Sequence, residues 1–194
     1  DRDGLLVVDS ALAAARQRNA EQSEQPALLM MSGDQIYADD VAGPMLIAIQ
    51  QVIQLLGLCE EQIDGLDEHL CSTDLPGHQH NLYGRNELLP ETEANDTLRE
   101  TLFMGARKPV FTSVNSDNHL ISLSEILGMY LLVWSPSLWK HVSLEQEVVP
   151  PEYAERYATE LQSIQQFAKG LHKVRRALAH VPVYMIFDDH DVTD

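Results

Sequence analysis

Apolar residues recur with helical spacing at Leu5, Val8, Leu12 and Ala15. This predicts a helix over residues 5–18, with Asp3 as its N-cap. A polar linker follows and ends at Pro26. The pattern then changes, because Ala27, Leu28, Leu29, Met30 and Met31 form an unbroken apolar run stopped by Ser32-Gly33. A run that short, apolar on both sides, suits a central strand covered on each face. Helical spacing returns over 41–56, and Gly57 is placed to cap the helix end. Residues 59–90 are rich in Asp, Glu, His, Gly and Asn, and read as a short helix followed by a long irregular excursion. Further helices are predicted over 96–104, 122–133 and 151–179, the last amphipathic and opened by a proline pair. Residues 181–187, Val-Pro-Val-Tyr-Met-Ile-Phe, give the second strand signal, β-branched and aromatic.

Two strands separated mostly by helices imply an α/β domain. The 194 residues, 44% of them hydrophobic, suit one domain or a large piece of a bigger one. The longest greasy stretch, 120–139, is broken by Glu125, several serines and Pro136, so it reads as a buried helix and not a membrane span. Acidic side chains number 30 against 13 basic ones, a formal charge of −17. That balance argues against binding the phosphate backbone of nucleic acids and against an anionic membrane surface. It permits carboxylate binding of hard cations, although solubility alone also accounts for such a surplus. Cys59 and Cys71 have no Cys-x-x-Cys spacing; two unpaired thiols are expected, with one disulfide between them as the alternative. No basic stretch precedes an apolar one at the start, and a targeting segment further upstream is left open.

The chemistry gathers where the two strands end. The first discharges into Ser32-Gly33-Asp34-Gln35-Ile36-Tyr37-Ala38-Asp39-Asp40, the second into Asp188-Asp189-His190-Asp191. Ligand sites in α/β folds cluster at the carboxyl ends of strands. Each aspartate taken alone is explained by turn capping. Crowded carboxylates repel one another, and a bound cation relieves that repulsion. Gly33 is expected to let the backbone turn sharply and aim Asp34 into the crevice.

These two blocks resemble the signature blocks of the PhoD-like (alkaline phosphatase D) metallophosphatases, a branch of the calcineurin-like metallophosphoesterase superfamily. The resemblance implies a four-layer αββα sandwich, with core blocks at 27–56 and 151–194 and a helical and loop insertion over about 57–150. It implies hydrolysis of a phosphate monoester or diester by a water activated between two metal ions. Asp34 would bridge both ions, and Tyr37 would give a phenolate to the harder one. Fe³⁺ with Ca²⁺ is the implied pair, with Mn²⁺ or Zn²⁺ as alternatives. Asp189 falls where many relatives carry a metal-binding Asn. His190 would contact the phosphate and assist the leaving group, and Asp191 would orient that histidine.

The pattern is incomplete. The superfamily's upstream ligand, an Asp-x-His or a cysteine after an earlier strand, has no counterpart before Asp34, and Cys59 and Cys71 come too late. Later ligands would lie beyond His190. The chain is therefore expected to be an internal segment of a longer enzyme, completed by the rest of its parent. Alone it would bind metal weakly or not at all and turn over little substrate. Gly77-His78-Gln79-His80 matches a late metal block of the superfamily but stands in the wrong order, and is read as coincidence. His119 could approach a substrate, while helix capping explains its neighbours Asp117 and Asn118. An HD-type phosphohydrolase would need His190-Asp191 on a helix, and a DHH-type phosphoesterase would need a different third residue. The non-enzymatic alternative is an acidic interaction or metal-binding module. In it Ala154, Tyr157, Leu161, Ile164 and Phe167 would bury a helix face against the parent chain.

Overall fold

The computed structural model describes residues 3–17, 26–63, 70–88, 116–144 and 149–192. Helix α1 runs Gly4–Gln17, and Asp3 caps it by accepting from the Leu5 N–H at 2.8 Å. Strand β1, Leu29–Met31, leads to helix α2, Gly43–Leu56. Pro44 sets the α2 start two residues later than the apolar spacing implied, since its fixed φ suits a first turn. Gly57 ends the helix at φ 61°, the left-handed cap position the sequence assigned to it. Helix α3, Leu123–Trp134, begins with a capping box in which Ser122 and Glu125 satisfy one another's backbone N–H. A single 3-10 turn at Pro151–Tyr153 opens helix α4, Ala154–Leu178, and strand β4, Val183–Met185, follows.

Among the described residues of 59–90, the short helix expected at its start does not appear. Strands β2, Gln62–Ile63, and β3, Leu70–Cys71, pair antiparallel there, followed by 3-10 turns at Leu75–Gly77 and Arg85–Glu87. One ion pair fastens this excursion to the core. The Arg85 guanidinium, fully buried, donates to both Glu125 carboxylate oxygens at 3.0 and 2.8 Å, and also to Asn81 and to the His119 carbonyl. A fork-to-fork pair with its remaining N–H groups satisfied is the arrangement in which a buried charge is tolerated. The predicted helix at 96–104 lies outside the described residues.

Helices α2, α3 and α4 enclose the main core, where Leu46, Ile49, Val52, Met129 and Leu132 are buried and Ile164 and Phe167 pack against them. Tyr157 and Leu161 pack with Ile47 and Tyr83. The α4 face that the interaction-module reading assigned to a parent chain is thus largely occupied from within. Helix α1 joins α4 through a two-pronged Arg176–Asp9 pair at 2.7 and 2.6 Å.

The described residues form a mixed, helix-rich α/β arrangement with two small sheets. Strands β1 and β4 are parallel, with Leu29 opposite Val183, Met30 opposite Tyr184 and Met31 opposite Met185. The expectation of a strand covered on both faces fails here. Side chains alternate across a strand, and the face bearing Leu28, Met30, Tyr184 and Ile186 lies open, each of the four at least half exposed. Among the described residues, no helix is long and apolar enough to cross a membrane.

Candidate metal site

Parallel pairing brings the carboxyl ends of β1 and β4 to the same edge of the sheet, so the two acidic loops emerge side by side. Backbone bonds then clasp them: Ile186 N–H donates to the Met31 carbonyl at 3.1 Å, and Ala38 N–H donates to the His190 carbonyl at 2.8 Å. The second loop folds into a 3-10 turn at Asp189–Asp191, and the Asp188 carboxylate caps it by accepting from Asp189 N–H at 3.1 Å. The first loop is anchored further by Leu120 N–H, which donates to the Ala38 carbonyl at 2.8 Å.

The clasp brings together Asp34, Asp189 and His190, which offer ligand atoms all within 4.8 Å of one another. Among the described residues this is the one group of three such side chains. Two carboxylates and an imidazole can hold a metal ion, and the donor set favours an oxygen-seeking or borderline cation over a thiolate-loving one. The fit has a second support, since Asp34 Oδ1 is buried without a hydrogen-bond partner. An acceptor left in that state costs stability unless something else engages it. The backbone bends at Gly33 as expected, but in a conformation that does not require glycine. Gly57 is the described glycine with positive φ, and a Cβ on Gly33 would meet nothing within 4 Å.

Of the five residues assigned from sequence, three therefore converge, His190 among the ligand-bearing groups. Tyr37 stands beside them, half exposed, its ring 4.9 Å from that of His190. The Asp34 charge, and its hydrogen bond to the phenol, raise the Tyr37 pKa above the ordinary value of 10.0, so in the ion-free chain the group is a phenol.

Asp191 departs from its expected role. Its buried carboxylate accepts from the backbone N–H groups of Gln35, Ile36 and Asp188 and from the Tyr130 hydroxyl at 2.6 Å. Burial alone would raise its pKa, but the Tyr130 and backbone donors outweigh burial and hold the carboxyl below the ordinary 3.8. Asp191 is the bolt between the two loops. The carboxylate on the His190 ring is that of Asp39, with Oδ1 3.1 Å from Nδ1. Sequence reading counted Asp39 only as one of the acidic cluster, and it missed Tyr130, whose hydroxyl reaches the site from the middle of α3.

The other candidates are engaged elsewhere. His119 is buried and donates from Nδ1 to the Leu120 carbonyl, and burial lowers its pKa. Its neighbours do not cap a helix. Asn118 bridges Tyr83 N–H and the Val41 carbonyl, and Asp117 pairs with Arg156. His80 pairs with Glu87 at 3.3 Å, and the His78 ring lies against it. Cys59 and Cys71 are free thiols. No family model, no curated protein and no solved structure matches this chain.

Proposed function

We propose that this chain carries part of a metal-dependent phosphoesterase site, with Asp34, Asp189 and His190 as its metal-binding core. The observation that carries the reading is the convergence of these three groups at the carboxyl ends of two parallel strands, with Asp34 Oδ1 left without a partner. The motif resemblance to PhoD-like metallophosphatases supplies the reaction class. Metal ions bound there, Fe³⁺ with Ca²⁺ or else Mn²⁺ or Zn²⁺, would supply charge neutralisation and an activated water.

The chain's own residues would divide the work around a phosphate ester. Asp34 and Asp189 would hold the ions, and Tyr37 lies close enough to the cluster to add a phenolic oxygen once a cation displaces its proton. His190, if not itself a ligand, would donate a hydrogen bond to a phosphoryl or leaving-group oxygen. Three close-set donors are fewer than two ions need, so further ligands would come from outside the described residues. The open face at Leu28, Met30, Tyr184 and Ile186 fits the same picture, because a parallel pair belongs inside a layered α/β sheet. A four-layer sandwich would bury it.

The test is turnover of p-nitrophenyl phosphate and bis-p-nitrophenyl phosphate with added Fe³⁺, Ca²⁺ or Mn²⁺. The chain alone is expected to give slow, metal-dependent turnover at most, lost in Asp34→Ala and in Asp189→Ala without loss of fold. Activity that survives both substitutions would contradict the reading.

A further inference from the structure

We infer that Tyr130 of α3 is a positioning residue for the cation site, setting the placement of Asp34, Asp189 and His190 by holding the Asp191 carboxylate. The inference rests on the metal-site reading for its purpose, while the geometry stands without it. Asp191 sits beside the backbone of all three ligands. Its Oδ1 accepts from Gln35 N–H at 3.1 Å and from Ile36 N–H at 2.9 Å, the first being the amide of the peptide that leaves Asp34. Its Oδ2 accepts from Asp188 N–H at 2.9 Å, one residue before Asp189, and His190 directly precedes Asp191 in the chain. These three donors belong to the two loops, so they fix the loops to one another and not to the core. The Tyr130 hydroxyl, donating to Oδ1 at 2.6 Å from 61 positions away, refers the clasp to the helical core. Tyr130 is well seated for this. Its ring lies 4.8 Å from that of Trp134 one turn on, and Met129 and Leu132 on either side are buried in the main core. The Leu120 tie to the Ala38 carbonyl holds the first loop only, four residues past Asp34. A site that binds a cation needs its ligands held to within about 0.5 Å, and loops reach that only when further contacts behind the ligands fix them. Without the hydroxyl, Oδ1 keeps only loop donors, and the carboxylate is free to swing with them.

The experiment compares wild type with Tyr130→Phe, which keeps the ring against Trp134 and deletes only the oxygen. ¹H–¹⁵N spectra of the metal-free chain read the amides of Gln35, Ile36 and Asp188. Water-proton relaxation reads Mn²⁺ binding at a temperature where both proteins are folded. The three amide protons are expected downfield in wild type, as donors to a carboxylate, and to move upfield in Tyr130→Phe. Mn²⁺ binding is expected to weaken by about tenfold, as losing a group behind metal ligands does. Asp9→Asn, which instead breaks the pair joining α1 to α4, is expected to leave the three amides and the Mn²⁺ affinity as in wild type. Unmoved amides in Tyr130→Phe, moved amides with Mn²⁺ affinity unchanged, or an equal loss of affinity in Asp9→Asn would each overturn the assignment. Amides that move as expected with no Mn²⁺ binding by wild type would overturn the metal reading alone and leave the hold of Tyr130 on the loops standing.

Discussion

At the scale of single residues, a one-position difference decides the role of a carboxylate. His190 and Asp191 are neighbours in the chain, and the motif resemblance implied that Asp191 orients the imidazole. The 3-10 turn at Asp189–Asp191 sends the Asp191 side chain back toward the first loop instead. It meets donors 155 and 156 positions away in sequence, a contact no local pattern encodes. Asp34, Asp189 and His190 were legible because each lies within three residues of the end of an apolar run, and the end of a strand is fixed by its last apolar residue. Replacing Asp191 by Asn puts an NH₂ group where backbone donors now point. The substitution is expected to cost on the order of 2 kcal/mol in urea unfolding. A cost below about 0.5 kcal/mol, the range of an ordinary surface change, would remove its assigned role as the bolt between the loops.

At the scale of elements, periodicity located the helices because their buried faces repeat every three or four residues. The caps at Asp3 and Gly57 were legible for the same local reason. The segment from β2 to the Arg85–Glu87 turn was not, because its order comes from a buried pair 40 residues apart. Glu125→Ala would leave Arg85 charged and buried, and chemical denaturation is expected to register a loss of about 3–5 kcal/mol. Arg85→Met combined with Glu125→Leu should recover much of that loss, since neither variant group then needs a partner.

Helix α1 depends on a different kind of pair. The Arg176 hydrogen bond lowers the Asp9 pKa below 3.8, overcoming the opposite effect of burial. A folded-state value below the unfolded one means that the stability from this pair is full above about pH 4. It is lost as pH falls through the lowered folded value. Thermal melts from pH 6 to pH 2 are expected to fall more steeply for wild type than for Asp9→Asn. Equal slopes would mean that the pair contributes nothing through this linkage.

At the scale of the whole molecule, the α/β class was legible from two apolar strand runs set among helical spacings. Their pairing as parallel neighbours followed from no local signal, and neither did the openness of the sheet. An apolar run records that a strand is suited to burial, not that its cover lies within the same stretch of chain. Leu28, Met30, Tyr184 and Ile186 show that difference directly, since they read as core and stand exposed. The acidity divides in a similar way. A share of it, Asp34, Asp39, Asp40, Asp188, Asp189 and Asp191, gathers where the two parallel strands end. The central claim is that this share forms a specific cation site. Paramagnetic line broadening by substoichiometric Mn²⁺ tests it most directly, because it locates even weakly bound ions. Broadening is expected first at the amides of residues 34–40 and 188–191, and Asp34→Ala should abolish it there. Broadening spread over the other acidic residues of the chain and indifferent to Asp34→Ala would contradict the account.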